Sequence, residues 1–246
     1  MNVVAIVQAR MSSSRFPGKT LANLCGSPVL LHVVERLKKC NYIHTVVVAT
    51  TTNKEDDNIE AFCNKHNVEC FRGSSSDVLS RYALCSKKYN ANTVVRITSD
   101  NPLIDSKVVD HVIDFFLKGD FDYVANNIIK TFPHGLDVEV MSNNALQIAD
   151  KESTSSRDRE HVTQYIRSSD KFKIQNIESD IDYSDIRITL DEDEDYKLIQ
   201  HLVSNYGKDI EFSDIVNIFI NNPSLKKTNS KSKKRHAIYN KKSLIV

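Results

Sequence analysis

Three short runs of almost uninterrupted apolar residues constrain this chain more than anything else in it. They are "VVAIVQ" (3–8), "TVVVAT" (45–50) and "TVVRIT" (93–98), spread over the first hundred of 246 residues. A strand that is apolar at successive positions must be buried on both faces, which only a sheet covered by helices on each side provides. Amphipathic stretches between the runs supply those helices. "SPVLLHVVERLKK" (27–39) reads as one, with Ser27 as N-cap and Pro28 at its first position. Residues 55–66 read as a polar-faced helix, 77–89 as a helix capped by Asp77, and 106–118 as another. "VECF" (68–71) and "FDYVAN" (121–126) read as further strands. The pattern predicts an α/β protein with a mainly parallel sheet of Rossmann-like type and helices on both faces. Ligands bind such sheets at the carboxyl ends of the strands, which directs attention to the loops after residues 8, 72 and 98.

The second half alternates less regularly. "GLDVEVMS" (135–142), "KFKIQNIE" (171–178) and "DIRITL" (185–190) read as strands, and 157–168, 192–206 and 212–222 as helices. No linker interrupts residues 1–223, so they are expected to form one domain. Residues 224–246 hold eight of the 33 basic residues and no acid, which leaves 25 bases against 32 acids in the remainder. This basic, polar tail is expected to be poorly ordered, and such charge suits a polyanion or an acidic membrane surface, or only solvent. Five cysteines without a CxxC pair argue against a disulfide framework or a structural zinc site. No apolar run approaches the roughly 20 residues of a membrane span, and the first strand is too short for a signal-peptide core. A cytoplasmic enzyme is the expectation.

The first strand leads into "QARMSSSRFPGKT" (8–20), one residue short of a P-loop: Gly18, Lys19 and Thr20 fit, but Ser13 stands where the first glycine belongs. A true P-loop enters its helix directly after the lysine and hydroxyl residue. Here Gly26 and Ser27 intervene, and Pro17 removes an N–H from the cradle. What remains is a loop carrying Arg10, Arg15 and Lys19 among three serines and a glycine. Such a loop can neutralise a triphosphate and hydrogen-bond to it; a solvated basic surface loop has the same composition.

This stretch closely resembles the signature loop of the cytidylyltransferases that make CMP-activated acidic sugars. It looks most like the spore-coat-polysaccharide branch and more distantly like the CMP-Kdo and CMP-sialic acid synthetases. "CFRGSSSDVLSRY" (70–82), "VRITSDNPLID" (95–105), "FPHGLDVEVMS" (132–142), "REHVTQYI" (159–166) and "IRITLDEDEDY" (186–196) agree in the same order. The resemblance implies a nucleotide-diphospho-sugar transferase fold, with CTP and Mg2+ used to transfer CMP to an acidic sugar and release pyrophosphate. It implies that Arg10, Arg15 and Lys19 grip the phosphates and that the backbone around Ala9 reads the cytosine edge. Arg72 and Gly73 would lie near base or ribose. Asp100 and Asp191 would hold the magnesium, with Asp193 the other candidate in the acidic run 191–195. Thr98 falls where the related synthetases carry a glutamine, so a nucleotide contact there departs from the family pattern. His134, Arg157, Arg159 and His161 are candidates for binding the acceptor, although ion pairing and packing account for such residues equally well. The same region builds a homodimer in this family. Another NTP, a sugar or polyol phosphate acceptor, and a degenerate nucleotide-binding protein with a polyanion-binding tail all remain open at this point.

Overall fold

The computed structural model describes residues 1–232; the part of the basic tail beyond them, and the polyanion or membrane contact expected of it, lie outside the described residues. In chain order the first elements are β1 (Val3–Gln8), β2 (Asn23–Leu24), β3 (Ser27–Pro28), α1 (Val29–Leu37), β4 (Thr45–Thr51), α2 (Asp57–Lys65), β5 (Glu69–Gly73), α3 (Val78–Lys88), β6 (Thr93–Thr98) and α4 (Ser106–Lys118). They are followed by β7 (Tyr123–Ala125), β8 (Glu139–Ser142), α5 (Asn143–Glu152), α6 (Ser156–His161), α7 (Gln164–Ser168), β9 (Ile174–Asn176), α8 (Asp193–Tyr206), α9 (Phe212–Asn221) and α10 (Leu225–Thr228).

Among the described residues, seven strands form one sheet in the order β5-β4-β1-β6-β8-β7-β9. All neighbours pair in parallel except β8, which runs against both β6 and β7. The chain leaves β1 toward β4 on one side and returns from the β5 edge to β6 on the other. The carboxyl ends of β1 and β6 therefore flank the switch point where such sheets bind ligands.

The period-two geometry of a strand sorts β1 between two cores. Val3, Ala5 and Val7 pack with residues of α1, α2 and α4, whereas Val4 and Ile6 pack with residues of α3 and α5. All five are at most 1% exposed, which is why residues 3–7 are all apolar. A third core joins Leu24, Val29 and Leu136 to α8 and α9.

Several boundaries differ from the sequence reading. Ser27 and Pro28 belong to a two-stranded hairpin with Asn23 and Leu24, turned through Cys25 (φ 50°) and Gly26 (φ 94°). The helix therefore starts at Val29, with Pro28 as its N-cap. The stretch 157–168 breaks at Val162, whose φ of 64° ends α6 before α7 begins. The predicted strand over 135–142 narrows to β8. Among the described residues, the predicted strand "DIRITL" joins no sheet. Its backbone is extended between two loops: Ile188 N–H donates to His134 O (2.7 Å), His134 N–H to Ile186 O (2.9 Å) and Leu190 N–H to Asp100 O (2.8 Å). The apolar alternation comes from burial in the third core rather than from a ladder. Residues 225–232, assigned to the tail by composition, pack against the domain: Asn229 is 3% exposed and Ser232 fully buried.

Two predictions follow from these contacts. Gly135 has a φ of +114°, and a Cβ there would meet the Ile188 and Thr189 backbone at 2.8 Å. Gly135→Ala should cost about 3 kcal/mol in urea denaturation, since both strain and clash are backbone-borne. His32 is buried on α1, its Nε2 2.9 Å from Leu24 O. Burial holds its pKa below the ordinary value, outweighing the hydrogen bond to Leu24, with Arg36 adding to the depression. Its stabilising contribution is present above the unfolded pKa of about 6.5 and is lost as pH falls below it. Stability measured from pH 7 to 5 should fall more steeply in wild type than in His32→Gln.

Candidate active site

The loop after β1 is fastened before it reaches the cleft. Ala9 N–H still bonds Ala49 O (3.2 Å), and Met11 N–H donates to Asp56 Oδ1 (2.7 Å). Asp56 is fully buried and also accepts a short hydrogen bond from the Thr51 hydroxyl. Gly18, at φ 72°, closes the loop by donating to Met11 O (3.1 Å). Thr20 Oγ1 donates to Arg10 O (2.9 Å). Phe16 sets its ring edge-on to Tyr196 of α8, centroids 5.8 Å apart. Between these ties the serines and arginines form a rim, with Lys19 at its base.

The rim borders a cavity of about 520 Å³ lined by Gln8, Arg10, Ser12–Arg15, Lys19, Thr20, Thr98–Asp100, Asp191 and Glu192. Lys19 joins the three chain segments that meet there. Its Nζ donates to Asp100 Oδ2 (3.1 Å), Asp191 Oδ1 (2.9 Å) and Leu190 O (2.7 Å), which occupies all three ammonium protons. Arg15 adds an ion pair to Asp191 at 3.1 Å. Thr98 Oγ1 donates to Asp100 Oδ1 (2.5 Å) and fixes that carboxylate from its other oxygen.

Asp191 is held from behind by residues that sequence reasoning missed. The Arg187 side chain is 2% exposed and lies 2.8 Å from Asp191 Oδ2 and 3.1 Å from Asp195 Oδ1. Asp195 in turn caps α8, accepting from Asp191 N–H (3.1 Å) and Glu192 N–H (3.2 Å). Asn229 donates to both Asp195 Oδ1 (2.8 Å) and Arg187 O (3.0 Å). The spacing of Arg187, Asp191 and Asp195 at four-residue intervals was visible in the sequence; nothing in it pointed to Asn229. Asp193, the other candidate of the acidic run, is exposed on the first turn of α8.

Electrostatics match this geometry. Burial alone would raise the Asp191 pKa, but Lys19, Arg187 and Arg15 outweigh it and hold the carboxyl well below the usual range. Burial likewise opposes the charge on Lys19, yet Asp100 and Asp191 raise its pKa. Both groups are therefore charged at neutral pH. The Lys19 ammonium lies between Asp100 Oδ2 and Asp191 Oδ1, the oxygens that Mg2+, an ion commonly held by one or two carboxylates plus substrate phosphates, would use. Among the described residues, no group of three or more His, Cys, Asp or Glu side chains gathers as a cage.

The remaining candidates lie elsewhere. Arg72, on the edge strand β5, donates to Thr51 O (2.9 Å), Asn53 O (3.0 Å) and Glu60 (2.8 Å) and pairs with Asp57 (2.7 Å). Its neighbour Gly73 accepts from Thr52 N–H. Arg159 clamps Asp77 (2.5 Å) and Asp150 (2.8 Å), tying α6 to α3 and α5. The His134 ring lies 3.3 Å from Lys130 Nζ, and its backbone bridges Arg187. His161, half-buried, ends α6, and Arg157 is exposed on the same helix. None of these side chains lines the cavity.

A Rossmann-like sheet with a cationic loop and paired carboxylates at its switch point defines a nucleotidyltransferase. The cytidylyltransferase family model matches residues 4–244, and the chain belongs to that family. It is 37% identical over 235 residues to the uncharacterized protein MJ1063 of Methanocaldococcus jannaschii, covering 94% of this chain and 95% of that one. It is 31% identical to the spore coat polysaccharide biosynthesis protein SpsF of Bacillus subtilis, covering 90% and 95%. A 3-deoxy-manno-octulosonate cytidylyltransferase of Geobacter metallireducens matches at 34% identity over only 46% of this chain and 44% of its own. Among solved structures, a cytidylyltransferase from Leptospira borgpetersenii superposes with a TM-score of 0.87 at 35% identity, covering 92% of this chain and 96% of that one. A CMP-2-keto-3-deoxy-manno-octonic acid synthetase complexed with CTP shares the fold, with a TM-score of 0.63 at 16% identity over 83% and 99%. Among the described residues, no helix is long and apolar enough to cross a membrane.

Removing one partner from a buried ion pair leaves a charge uncompensated, which costs about 3–5 kcal/mol. Asp195→Ala should destabilise by that amount in urea denaturation, because Arg187 loses its two-point partner. Asp193→Ala should stay within about 0.5 kcal/mol of wild type.

Proposed function

We propose that this protein transfers CMP from CTP to the hydroxyl of an acidic sugar, releasing pyrophosphate, in the assembly of a surface polysaccharide or glycan. The convergence of Lys19, Asp100 and Asp191 beneath a loop of arginines and serines carries this reading. The acidic sugar and the polysaccharide setting rest on the named activities of the relatives.

Attack on an α-phosphate must overcome repulsion between anions and needs a stabilised leaving group, so positioning and charge neutralisation dominate such transfers. Arg10 and Arg15 stand at the open rim, where they can take the β- and γ-phosphates. Ser12, Ser13 and Ser14 offer hydroxyls beside them. Lys19 is held by three acceptors, so it marks a fixed positive point at the base. Asp100 and Asp191 would hold Mg2+, which when bound supplies positive charge at the reacting phosphate. Thr98 and Arg187 keep those two carboxylates oriented before substrate arrives.

Pyrophosphate release, followed with CTP, magnesium and a panel of sugar acids and sugar or polyol phosphates, tests the reading. Turnover is expected with CTP and at least one sugar acid. A preference for another NTP, or for a phosphorylated acceptor, would replace the corresponding half of the proposal. Asp100→Ala and Lys19→Met should each lower kcat by about 100-fold or more, the scale for removing one preorganised charge from a transfer site. Near-normal turnover in Asp100→Ala would remove that residue from the reaction.

A further inference from the structure

The charged side chains of the cleft suit the phosphates, and beside the Ala9 backbone expected at the cytosine edge the nucleoside calls for a neutral polar side chain. We infer that Gln8 supplies it, its amide oxygen accepting a hydrogen bond from the nucleoside of the bound nucleotide. The inference rests on the cytidylyltransferase reading above and adds a specificity-determining residue to it.

Gln8 is the last residue of β1, and its side chain lines the cavity. Its Oε1 is buried and has no hydrogen-bond partner among the described residues. A buried acceptor left unpaired costs about 1–3 kcal/mol, so a position that keeps one is suited to a ligand donor. Gln8 also carries the only amide among the described residues lining this cavity. Its neighbour in the β1–β6 register is Thr98, at the end of β6. Thr98 cannot serve instead as a donor, since its hydroxyl proton goes to Asp100 and its oxygen also accepts from Asn101 Nδ2 (3.2 Å). The two strand ends thus divide the work. Thr98 orients a carboxylate, and Gln8 presents a neutral polar group at the switch point. A neutral amide suits the uncharged part of a nucleotide, where cytosine offers its exocyclic amino group and ribose its hydroxyls.

Binding of Mg-CTP, Mg-UTP and Mg-2′-deoxy-CTP to wild type, Gln8→Leu and Gln8→Glu tests this, with unfolding temperatures without nucleotide checking that each variant folds. Gln8→Leu should weaken CTP by roughly tenfold while leaving the analogue that lacks the contacted donor unchanged, so that the two affinities converge. Convergence with UTP assigns the contact to the base amino group; convergence with 2′-deoxy-CTP assigns it to the ribose. Gln8→Glu keeps an acceptor oxygen and should preserve the discrimination that Gln8→Leu loses, even if the added charge weakens every nucleotide. CTP binding in Gln8→Leu with both ratios as in wild type overturns the role of Gln8 alone. Absence of CTP binding in wild type overturns the cytidylyltransferase reading, and this inference with it.

Discussion

A guanidinium taken out of water must find acceptors for its charge, and Arg187 is almost completely buried. Asp195 and Asp191 supply those acceptors from one side of it. Asp195 is itself fixed by the first turn of α8, so the helix start, the arginine and the cleft carboxylate form one connected unit. Asp191 then passes the constraint forward to Lys19, and Lys19 passes it to Asp100. Five charged residues from three separate segments are thereby held at one end of the sheet. A site built this way is organised before any substrate enters, which lowers the reorganisation required during transfer.

The sheet places this network. Burial of β1 on both faces forces the chain to leave it through a loop at its carboxyl end, beside the loop that leaves β6. Apolar packing fixes the two strand ends to within a register position, and the polar residues just beyond them inherit that placement. Gly135 belongs to the same system, because its missing side chain allows the loop carrying it to lie against the 188–189 backbone.

Legibility in the sequence followed the range of the interactions involved. The three apolar runs and the helices between them were readable because strand burial and helix amphipathicity are local periodicities. The cations of the first loop, Asp100 and Asp191 were readable because their spacing along the chain carries the family resemblance. Arg187 and Asp195 were passed over because ion pairing with a residue four positions away looks the same on paper whether it is exposed or buried. "DIRITL" looked like a strand because it is extended and buried, and no local pattern distinguishes a sheet ladder from hydrogen bonds to loops. Arg72 and Arg159 illustrate the converse. Their residue type suits an anion, but the structure surrounds each with carboxylates and carbonyls from neighbouring elements.

The docking of Asn229 and Ser232 changes where the working unit ends. Composition shifts near residue 224, and a trimming strategy guided by hydropathy would cut there. Yet Asn229 donates to both members of the Arg187–Asp195 pair, and Ser232 donates to Glu192 beside Asp191. The segment that looks dispensable is thus wired, through a single amide, to the carboxylate at the floor of the cleft. Force applied at residues 229–232 reaches the cleft carboxylates through a few hydrogen-bonded side chains.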